Sequence, residues 1–189
     1  MGYKVPVGVS NKHLHLSQAD LETLFGAGYE LTFKKKLGQP GQFAAEEQVM
    51  VVGPKGQAKM RVLGPVRPET QVEIAMTDSR TLGIPGVVRE SGKLEGTPGC
   101  KLIGPKGEVE IAKGVIVALR HVHLNPEQAA AAGVVDKEFV KVRVGGERGL
   151  VFENVLVRAG STHEAEFHID TDEANASELM DGEVEIYKD

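Results

Sequence analysis

The sequence predicts a mainly β protein of two similar lobes, and three observations support this prediction. The chain of 189 residues contains 23 glycines and 9 prolines, which divide it into short segments that favour strands and tight turns. Three stretches have the alternating apolar pattern of β-hairpins, at residues 48–66, 99–118 and 139–160. A His-x-His-Leu unit occurs twice, which indicates an internal duplication with a lobe boundary between residues 90 and 115.

Only a few short helices are predicted, and each has recognisable ends. Ser17 can cap a helix that stops at a glycine. Asn125 can cap a second helix, with Pro126 at its first position and Gly133 as its stop. A third helix is expected within residues 171–180, beginning with a threonine or an aspartate.

The duplicated unit places two pairs of histidines, His13 with His15 and His121 with His123, just before the first two predicted helices. In a strand the two histidines of a pair point to the same face, so each pair can chelate one metal ion. One such pair alone is equally consistent with the polar face of a half-buried strand. Because four of the six histidines occupy two equivalent strand-to-helix junctions, we favour a metal or catalytic role.

Further ligands are needed if the histidine pairs bind zinc, because zinc normally takes three or four protein ligands. His168 lies in a strand-like run whose apolar neighbours would face the other way, so His168 could complete one site. Glu73 shares a predicted strand face with Gln71 and could complete the other, although a solvated strand face explains Glu73 equally well. His163 follows Gly-Ser-Thr in a predicted loop, where an exposed side chain is expected.

Two basic features could bind an anion. Arg67 lies between a turn and a proline, and its guanidinium could hold a phosphate or a carboxylate through two hydrogen bonds. An exposed ion pair is the more common use of such an arginine. Lys34, Lys35 and Lys36 form the densest basic run, as expected for a loop that receives a phosphorylated ligand, but a solvated charge run is the default interpretation.

Composition excludes several classes of protein. The net charge of −5 argues against nucleic acid as the main partner, since binding to a phosphate backbone needs an excess of Lys and Arg. The longest apolar runs, such as residues 114–119, fall far short of the roughly 20 residues of a membrane span. Residues 1–9 lack a signal-peptide pattern. We therefore expect a cytoplasmic protein without a membrane partner.

Common catalytic motifs are absent from the sequence. The order GxxxxGK[ST] of a P-loop is not found, and no GxGxxG opens a helix after a strand. A G-x-S-x-G nucleophile elbow is missing too. The single cysteine, Cys100, excludes an intrachain disulfide and a four-cysteine zinc module, and we expect it to pack in the core or lie in a surface loop rather than act as a nucleophile. The residues alone therefore favour metal-centred chemistry on a β scaffold.

Five segments together resemble the PduL-type phosphate acyltransferases, and they cover nearly the whole chain in the family's order. They are VGVSNKHLHLSQADLETLFG, LGQPGQFAAEEQV, VLGPVRPETQVEIAMTDSR, LRHVHLNPEQA and FENVLVRAGSTHEAEFHIDTDEAN. The resemblance implies an enzyme that converts acyl-CoA and phosphate reversibly into acyl phosphate and CoA. It also implies two β-barrel-like domains with a few short helices, residues 1–95 and 96–189, which share one active-site cleft.

The resemblance also assigns site residues by motif. Family members hold two zinc ions, and other divalent metals such as cobalt, nickel or iron suit the same ligand types. The implied metal ligands are His13, His15 and Glu73 for the first ion and His121, His123 and His168 for the second. Arg67 is the implied catalytic residue, acting on the phosphate or the acyl intermediate. The implied CoA contacts are Ser10, Lys35, Arg61, Leu63 and Asn175.

The expected mechanism is direct attack of metal-bound phosphate on the thioester, without an acyl-enzyme, because cations and Arg67 would bind the anion beside the acyl group. Two other interpretations stay open: a dinuclear zinc hydrolase of thioesters or phosphoesters, and a metal-stabilised binding module. The family forms dimers or larger assemblies, which implies a homo-oligomer. Members inside bacterial microcompartments usually carry an N-terminal extension. The first predicted strand begins almost at once here, which favours the cytoplasm unless an extension has been removed.

Overall fold

The structure, a computed structural model, describes residues 2–188 and contains two compact units. The barrel unit consists of the residues up to Ser10, Gly38–Pro40 and the residues from Leu119 onward. The sheet unit consists of Asn11–Leu37 and Gly41–Ala118. Each unit has its own hydrophobic core.

Strands dominate both units, so the mainly β fold class is confirmed. The strands are β1 (Tyr3–Ser10), β2 (His13–His15), β3 (Phe33–Lys36), β4 (Phe43–Val52), β5 (Gln57–Gly64), β6 (Gln71–Glu73), β7 (Val88–Arg89), β8 (Cys100–Ile103), β9 (Glu108–Ile111), β10 (Val115–Ala118), β11 (His121–Leu124), β12 (Phe139–Val144), β13 (Leu150–Ala159), β14 (Glu166–Asp170) and β15 (Glu183–Tyr187). The helices are α1 (Gln18–Phe25), α2 (Met76–Leu82), α3 (Pro126–Ala132) and α4 (Thr171–Ser177). The three predicted hairpins correspond to β4 with β5, β8 with β9 and β12 with β13.

Six strands of the barrel unit close into a barrel in the order β1-β14-β11-β13-β12-β15. Alternation along β14 puts Phe167 into the core, where its side chain is fully buried. Glu166 and His168 therefore lie on the opposite face of the same strand. In β11, Val122 enters the same core, so the two flanking histidines share the other face of β11.

The sheet unit is a nine-stranded sheet curled into a half-barrel. Its strand order is β7-β10-β6-β2-β5-β4-β8-β9, with β3 paired to β4. The core contains Leu14 of β2, Val62 of β5 and Val72 of β6, all fully buried. Because side chains alternate along a strand, His13 and His15 point to the other face of β2.

The duplicated His-x-His unit has the same strand neighbours in both compact units. In the sheet unit, β2 is parallel to β5 and antiparallel to β6, and β6 is parallel to β10. In the barrel unit, β11 is parallel to β13 and antiparallel to β14, and β14 is parallel to β1. A four-strand motif is therefore repeated, and each copy leads into a capped helix. The internal duplication predicted from the sequence is confirmed.

Three of the four helices match the predicted ones. Ser17 Oγ accepts a hydrogen bond from the N–H of Asp20 at 3.2 Å at the start of α1. Asn125 caps α3 in the same way. The helix α4 begins after Asp170 but is shorter than predicted, because Glu178 adopts a left-handed backbone with φ of 56° and ends the helix.

The helix α2 was not predicted from the sequence, because Ala75 at its N-cap has no side-chain acceptor. The capping side chain lies inside the helix instead of at the N-cap: the carboxylate of Asp78 accepts a hydrogen bond from the N–H of Ala75 at 3.2 Å. The left-handed glycine after the helix, Gly83, is a conventional stop.

The two identical Gly-Pro-Lys-Gly turns play the same role in the sheet unit: each donates a backbone hydrogen bond to the C-terminal end of a helix. The N–H of Lys55 donates to the carbonyl of Leu82 in α2, and the N–H of Lys106 donates to the carbonyl of Leu24 in α1, both at 3.0 Å. Each turn therefore satisfies a carbonyl that the helix itself leaves without a partner.

The compact units do not follow the predicted division into residues 1–95 and 96–189. Residues 96–118 add β8, β9 and β10 to the sheet unit, while β1 belongs to the barrel unit. The pairings of β8 with β4 and of β10 with β6 join distant parts of the chain and leave no local sequence signal. Within residues 2–188, no helix has the length and apolar character needed to span a membrane.

Candidate metal centres

The first candidate centre lies in the sheet unit and consists of His13, His15 and Glu73. Each residue offers one ligand atom, and these atoms lie within 4.8 Å of one another. Strand register explains the cluster: His13 of β2 is directly opposite Glu73 of β6, and His15 is opposite Gln71. His13 and His15 are 7% and 2% exposed, so water has little access to the ligand atoms.

Hydrogen bonds fix both rings of the first centre in one tautomer. His13 Nδ1 donates to the carbonyl oxygen of Asn11 at 2.8 Å, and His15 Nδ1 donates to that of Leu63 at 3.2 Å. In the neutral rings, both Nε2 atoms then carry lone pairs. They lie 3.6 Å and 3.9 Å from Glu73 Oε1. When both rings are neutral, three electron-pair donors converge, which is the arrangement that a divalent cation requires.

The pKa values in the first centre are consistent with a cation-binding role. Burial, followed by the charge of Arg67, lowers the pKa of His15 to about 3, so this ring is neutral at pH 7. Burial raises the pKa of Glu73. The charges of His13, His15 and Arg67 and the hydrogen bond to His13 lower it by more, so the pKa lies well below its usual value. Burial lowers the pKa of His13, yet Glu73 raises it on balance. Without a metal, a proton on His13 supplies part of the missing positive charge.

A polar network supports Glu73. Gln71 Nε2 donates to Glu73 Oε1 at 2.6 Å and to Ser91 Oγ at 2.8 Å. The N–H of Gly92 donates to Gln71 Oε1 at 2.7 Å, which fixes the amide orientation. Arg67 Nη1 donates to the same Ser91 hydroxyl at 3.2 Å, so the candidate catalytic arginine and the candidate ligand share one partner. The shared face of Gln71 and Glu73 predicted from the sequence is confirmed.

The second candidate centre lies in the barrel unit and consists of His121, His123 and His168, again with ligand atoms within 4.8 Å of one another. His121 of β11 is directly opposite His168 of β14. His121 Nδ1 donates to the carbonyl oxygen of Leu119 at 2.8 Å, which directs Nε2 towards His123 Nε2, 3.1 Å away. Burial and the neighbouring His121 lower the pKa of His123, so its ring is neutral at pH 7.

Both residue sets fit a divalent transition metal. Two imidazole nitrogens with lone pairs repel each other at 3.1 Å unless a proton or a cation lies between them. Within residues 2–188, Nδ1 of His123 is a buried side-chain atom without a hydrogen-bond partner, which shows that protein groups alone do not satisfy this ring. Imidazole and carboxylate are ligands that zinc accepts in its three-ligand catalytic sites. The identity of the metal stays a prediction.

The predicted CoA contacts are distributed over both units. Ser10 lies at the end of β1, and Asn175 is exposed on α4 in the same unit. Arg61 lies opposite His13 in β5, where its guanidinium donates to the carbonyl of Ala45 at 2.6 Å. The other two contacts in the sheet unit are Leu63, whose carbonyl His15 uses, and Lys35, which is exposed on β3. These assignments stay predictions.

His163 and Cys100 were not predicted to belong to the site. The side chain of His163 was expected to be exposed in a loop, but its ring is partly buried and its centroid lies 4.4 Å from that of His123. Cys100 is buried in the core of the sheet unit, as expected, and burial raises the pKa of its thiol to about 12.

Three polar residues that contact the candidate ligands or their hydrogen-bond partners were not predicted from the sequence. Ser91 contacts Glu73, and Glu166 accepts a hydrogen bond from His168. Gln39 in turn contacts Glu166. A signal existed for Glu166, which precedes His168 by two residues on one strand face, just as Gln71 precedes Glu73. No local signal could have found Gln39.

Comparison with known proteins gives one consistent result. The profile of the family described as phosphate propanoyltransferase matches residues 6–180. A phosphate propanoyltransferase of Thermotoga maritima is 58% identical over 180 residues, which cover 94% of this chain and 86% of the relative. Proteins of the same name from Rhodopseudomonas palustris and Salmonella typhimurium are each 52% identical. They cover 96% and 92% of this chain and 81% and 83% of the relatives.

Proposed function

The chain belongs to the phosphate propanoyltransferase family, and we propose that it catalyses reversible acyl transfer between CoA and inorganic phosphate at the two histidine centres. It is a phosphate acyltransferase. The observation that carries the assignment to these centres is the convergence of the ligand atoms of His13, His15 and Glu73, with Arg67 bound to their supporting network.

The chemical problem is the approach of an anion to an acyl carbon whose oxygen becomes negative in the transition state. Zinc or a related divalent ion held by His13, His15 and Glu73, or by His121, His123 and His168, would supply positive charge that stabilises the phosphate and the developing oxyanion. His13 and His15 are buried, and the Glu73 side chain, on the adjacent strand, is only 12% exposed, so the positions of the ligands are set before substrate arrives. Little reorganisation is then needed in the reaction.

Arg67 is the side chain that we assign to phosphate binding. Its positive charge lowers the pKa of both His15 and Glu73, which supports a role for the guanidinium at the first centre. The backbone N–H of Arg67 donates to the carbonyl of Leu16 at 2.9 Å, so the arginine is anchored directly after the His-x-His strand. A guanidinium in this position can hold a phosphate through two parallel hydrogen bonds.

The proposed reaction is a direct displacement. A phosphate oxygen forms a bond to the thioester carbon, the carbon–sulfur bond breaks, and CoA leaves as the thiolate, which then takes up a proton. A covalent acyl-cysteine is disfavoured, because Cys100 is buried and a pKa of about 12 keeps its thiol protonated at pH 7.

Further parts of the proposal concern the substrates and the assembly. Ser10, Lys35, Arg61, Leu63 and Asn175 are proposed to contact CoA. Homo-oligomer formation and a cytoplasmic location stay predictions from the sequence, with the microcompartment lumen as the alternative location. Mutation of Lys35 to alanine should raise KM for CoA, whereas the exposed Lys59 of β5 serves as the matched control.

One assay separates this function from the two alternatives. Release of the CoA thiol is followed from acetyl-CoA and propanoyl-CoA, with and without phosphate, before and after metal chelation. Phosphate-dependent, chelator-sensitive release supports the proposal. Release that does not need phosphate would indicate a hydrolase, and the absence of turnover together with unfolding on chelation would indicate a binding module. The family names favour neither alternative.

A further inference from the structure

We propose that Glu166, itself held by Gln39, is a positioning residue for the second metal centre, where it fixes the ring of His168 so that one nitrogen faces the metal. The inference rests on the proposed function, because it requires that the His121–His123–His168 cluster binds a metal ion.

The contact between Glu166 and His168 is short and direct. His168 Nε2 donates to Glu166 Oε2 at 2.6 Å. Both side chains project from the same face of β14, two residues apart, so the strand itself sets their spacing. The side chains are 19% and 23% exposed, which limits screening of this contact by water.

Gln39 binds the same oxygen of the Glu166 carboxylate that accepts the hydrogen bond from His168. Its Nε2 donates to Glu166 Oε2 at 2.9 Å and to the carbonyl of Glu164 at 3.1 Å. Its Oε1 accepts a hydrogen bond from the N–H of Glu164 at 3.3 Å. Gln39 is 4% exposed, and these three contacts use both N–H groups and the oxygen of its amide. A buried amide tied to the backbone at two points cannot rotate away from Glu166.

Two glycines make room for the Glu166 carboxylate. A Cβ atom at Gly38 would lie 2.5 Å from both Glu166 oxygens, and one at Gly8 would lie 2.8 Å from Oε1. Real Cβ atoms do not come so close, so side chains at these positions would displace the carboxylate. The Glu166 carboxylate is therefore enclosed by Gly8, Gly38 and Gln39.

The first centre has an equivalent pair of residues, a ligand and its hydrogen-bond partner, at the same register positions but with different residue types. In register, Glu73 corresponds to His168, because each lies opposite the first histidine of its pair. Gln71 corresponds to Glu166, because each lies opposite the second histidine. The first centre thus has a carboxylate ligand with an amide partner, and the second has an imidazole ligand with a carboxylate partner.

This exchange has an electrostatic consequence. The first centre contains two histidines and one carboxylate, and the second contains three histidines and one carboxylate. With all rings neutral, one negative charge is therefore available in each centre to balance a divalent cation. A carboxylate that accepts a hydrogen bond from a ligating imidazole fixes its tautomer and increases its basicity. With Nε2–H engaged by Glu166, Nδ1 is the nitrogen of His168 that remains for a metal.

The test is the zinc affinity of the second centre, measured by competition with a chromogenic chelator. A His13→Ala background weakens the first centre, so that the second is titrated by itself. Glu166→Ala should weaken zinc binding by about 10- to 100-fold, the usual effect of removing such a partner. Glu166→Gln, which keeps an acceptor oxygen but loses the charge, and Gln39→Ala should each cause a smaller loss. Glu164→Gln is the matched control, because this carboxylate contacts Gln128 rather than a ligand, and it should leave the affinity unchanged.

A second readout does not depend on bound metal. Long-range ¹⁵N–¹H NMR of the metal-free protein should show His168 as the Nε2–H tautomer in the wild type and a mixture of tautomers in Glu166→Gln. Circular dichroism checks that each variant is folded, and the glutamine variant keeps the test decisive if the alanine variant unfolds.

The possible failures can be told apart. If the His13→Ala protein with intact Glu166 binds no zinc, the proposed second metal centre is wrong. If it binds zinc and the Glu166 and Gln39 variants bind with the same affinity, the proposed role of Glu166 is wrong. Equal losses in the Glu164→Gln control would show a general effect of charge rather than positioning.

Discussion

His13 and Glu73 lie directly opposite each other on neighbouring antiparallel strands, and His121 and His168 have the same relationship in the duplicated motif. In each unit, the strand register therefore brings a third ligand to a histidine pair. Glu73 and His168 lie far from their pairs in sequence, so the fold, rather than a local motif, completes each centre.

Loss of the carboxylate ligand should remove metal from the first centre. We expect Glu73→Gln to lower phosphate-dependent kcat/KM by about 100-fold or more, because the cation loses a charged ligand and its supporting hydrogen bond. Elemental analysis should show a matching loss of zinc. Glu69→Gln is the control, because Glu69 is an exposed partner of Lys113, and its activity should stay at the wild-type level. Full activity of Glu73→Gln would contradict the assignment.

Substitution of Arg67 should act on phosphate more than on acyl-CoA. Arg67→Lys keeps the charge but loses the planar pair of donors, so KM for phosphate should rise by about 10-fold or more. The KM for acyl-CoA should change by less than about twofold. Arg80→Lys, at an exposed position on α2, is the matched control. An unchanged KM for phosphate in Arg67→Lys would remove Arg67 from the anion site.

The metal-free protein should lose stability as the pH falls from about 6 to about 5. The folded-state pKa of His15 is about 3, against 6.5 for the ordinary ring. In this window the unfolded chain binds a proton that the folded chain does not, so the free energy of unfolding falls by up to about 1 kcal/mol per pH unit for such a group. His13, whose pKa is raised, is protonated in both states and adds little slope.

Urea unfolding of the chelated protein at the two pH values measures this slope. His15→Asn removes the titrating group and should make the dependence of the unfolding midpoint on pH smaller. The lowered pKa of His123 should leave part of the slope in that variant. Identical slopes for wild type and His15→Asn would show that His15 does not titrate as its burial implies.

The cysteine should be dispensable for catalysis. Because Cys100 is buried and its thiol stays protonated at neutral pH, we expect Cys100→Ala to retain most of the activity. Mass spectrometry of the wild type after mixing with acyl-CoA alone should show no added acyl group. An acyl adduct on Cys100 would replace direct displacement with a two-step mechanism.

Much of the candidate site could be predicted from the sequence because it follows the period of a strand. The repeated His-x-His-Leu unit identified four histidines, and alternation with apolar neighbours made Glu73 and His168 candidates for the third ligands, which the family resemblance then assigned. The structure brings these residues together as two clusters. The hairpins were equally visible, since Gly-Pro-Lys-Gly turns separate alternating runs.

The remaining features depend on long-range contacts that leave no local pattern. Gln39 contacts Glu166 across 127 positions of the chain, and no local sequence pattern links the two residues. The placement of β1 in the barrel unit and of residues 96–118 in the sheet unit likewise follows from strand pairings between distant parts of the chain, such as β1 with β14 and β4 with β8. The helix α2 was missed because Asp78, and not its N-cap residue, caps its first turn.

The central claim is that metal ions in the two histidine centres enable phosphate to take the acyl group from CoA. Its most direct test is CoA release by metal-free protein that is titrated with zinc at saturating phosphate and propanoyl-CoA. We predict no release without zinc, a rise that saturates at two zinc ions per chain, and no release when phosphate is omitted. Full activity in the metal-free protein, or release that does not require phosphate, would contradict the claim.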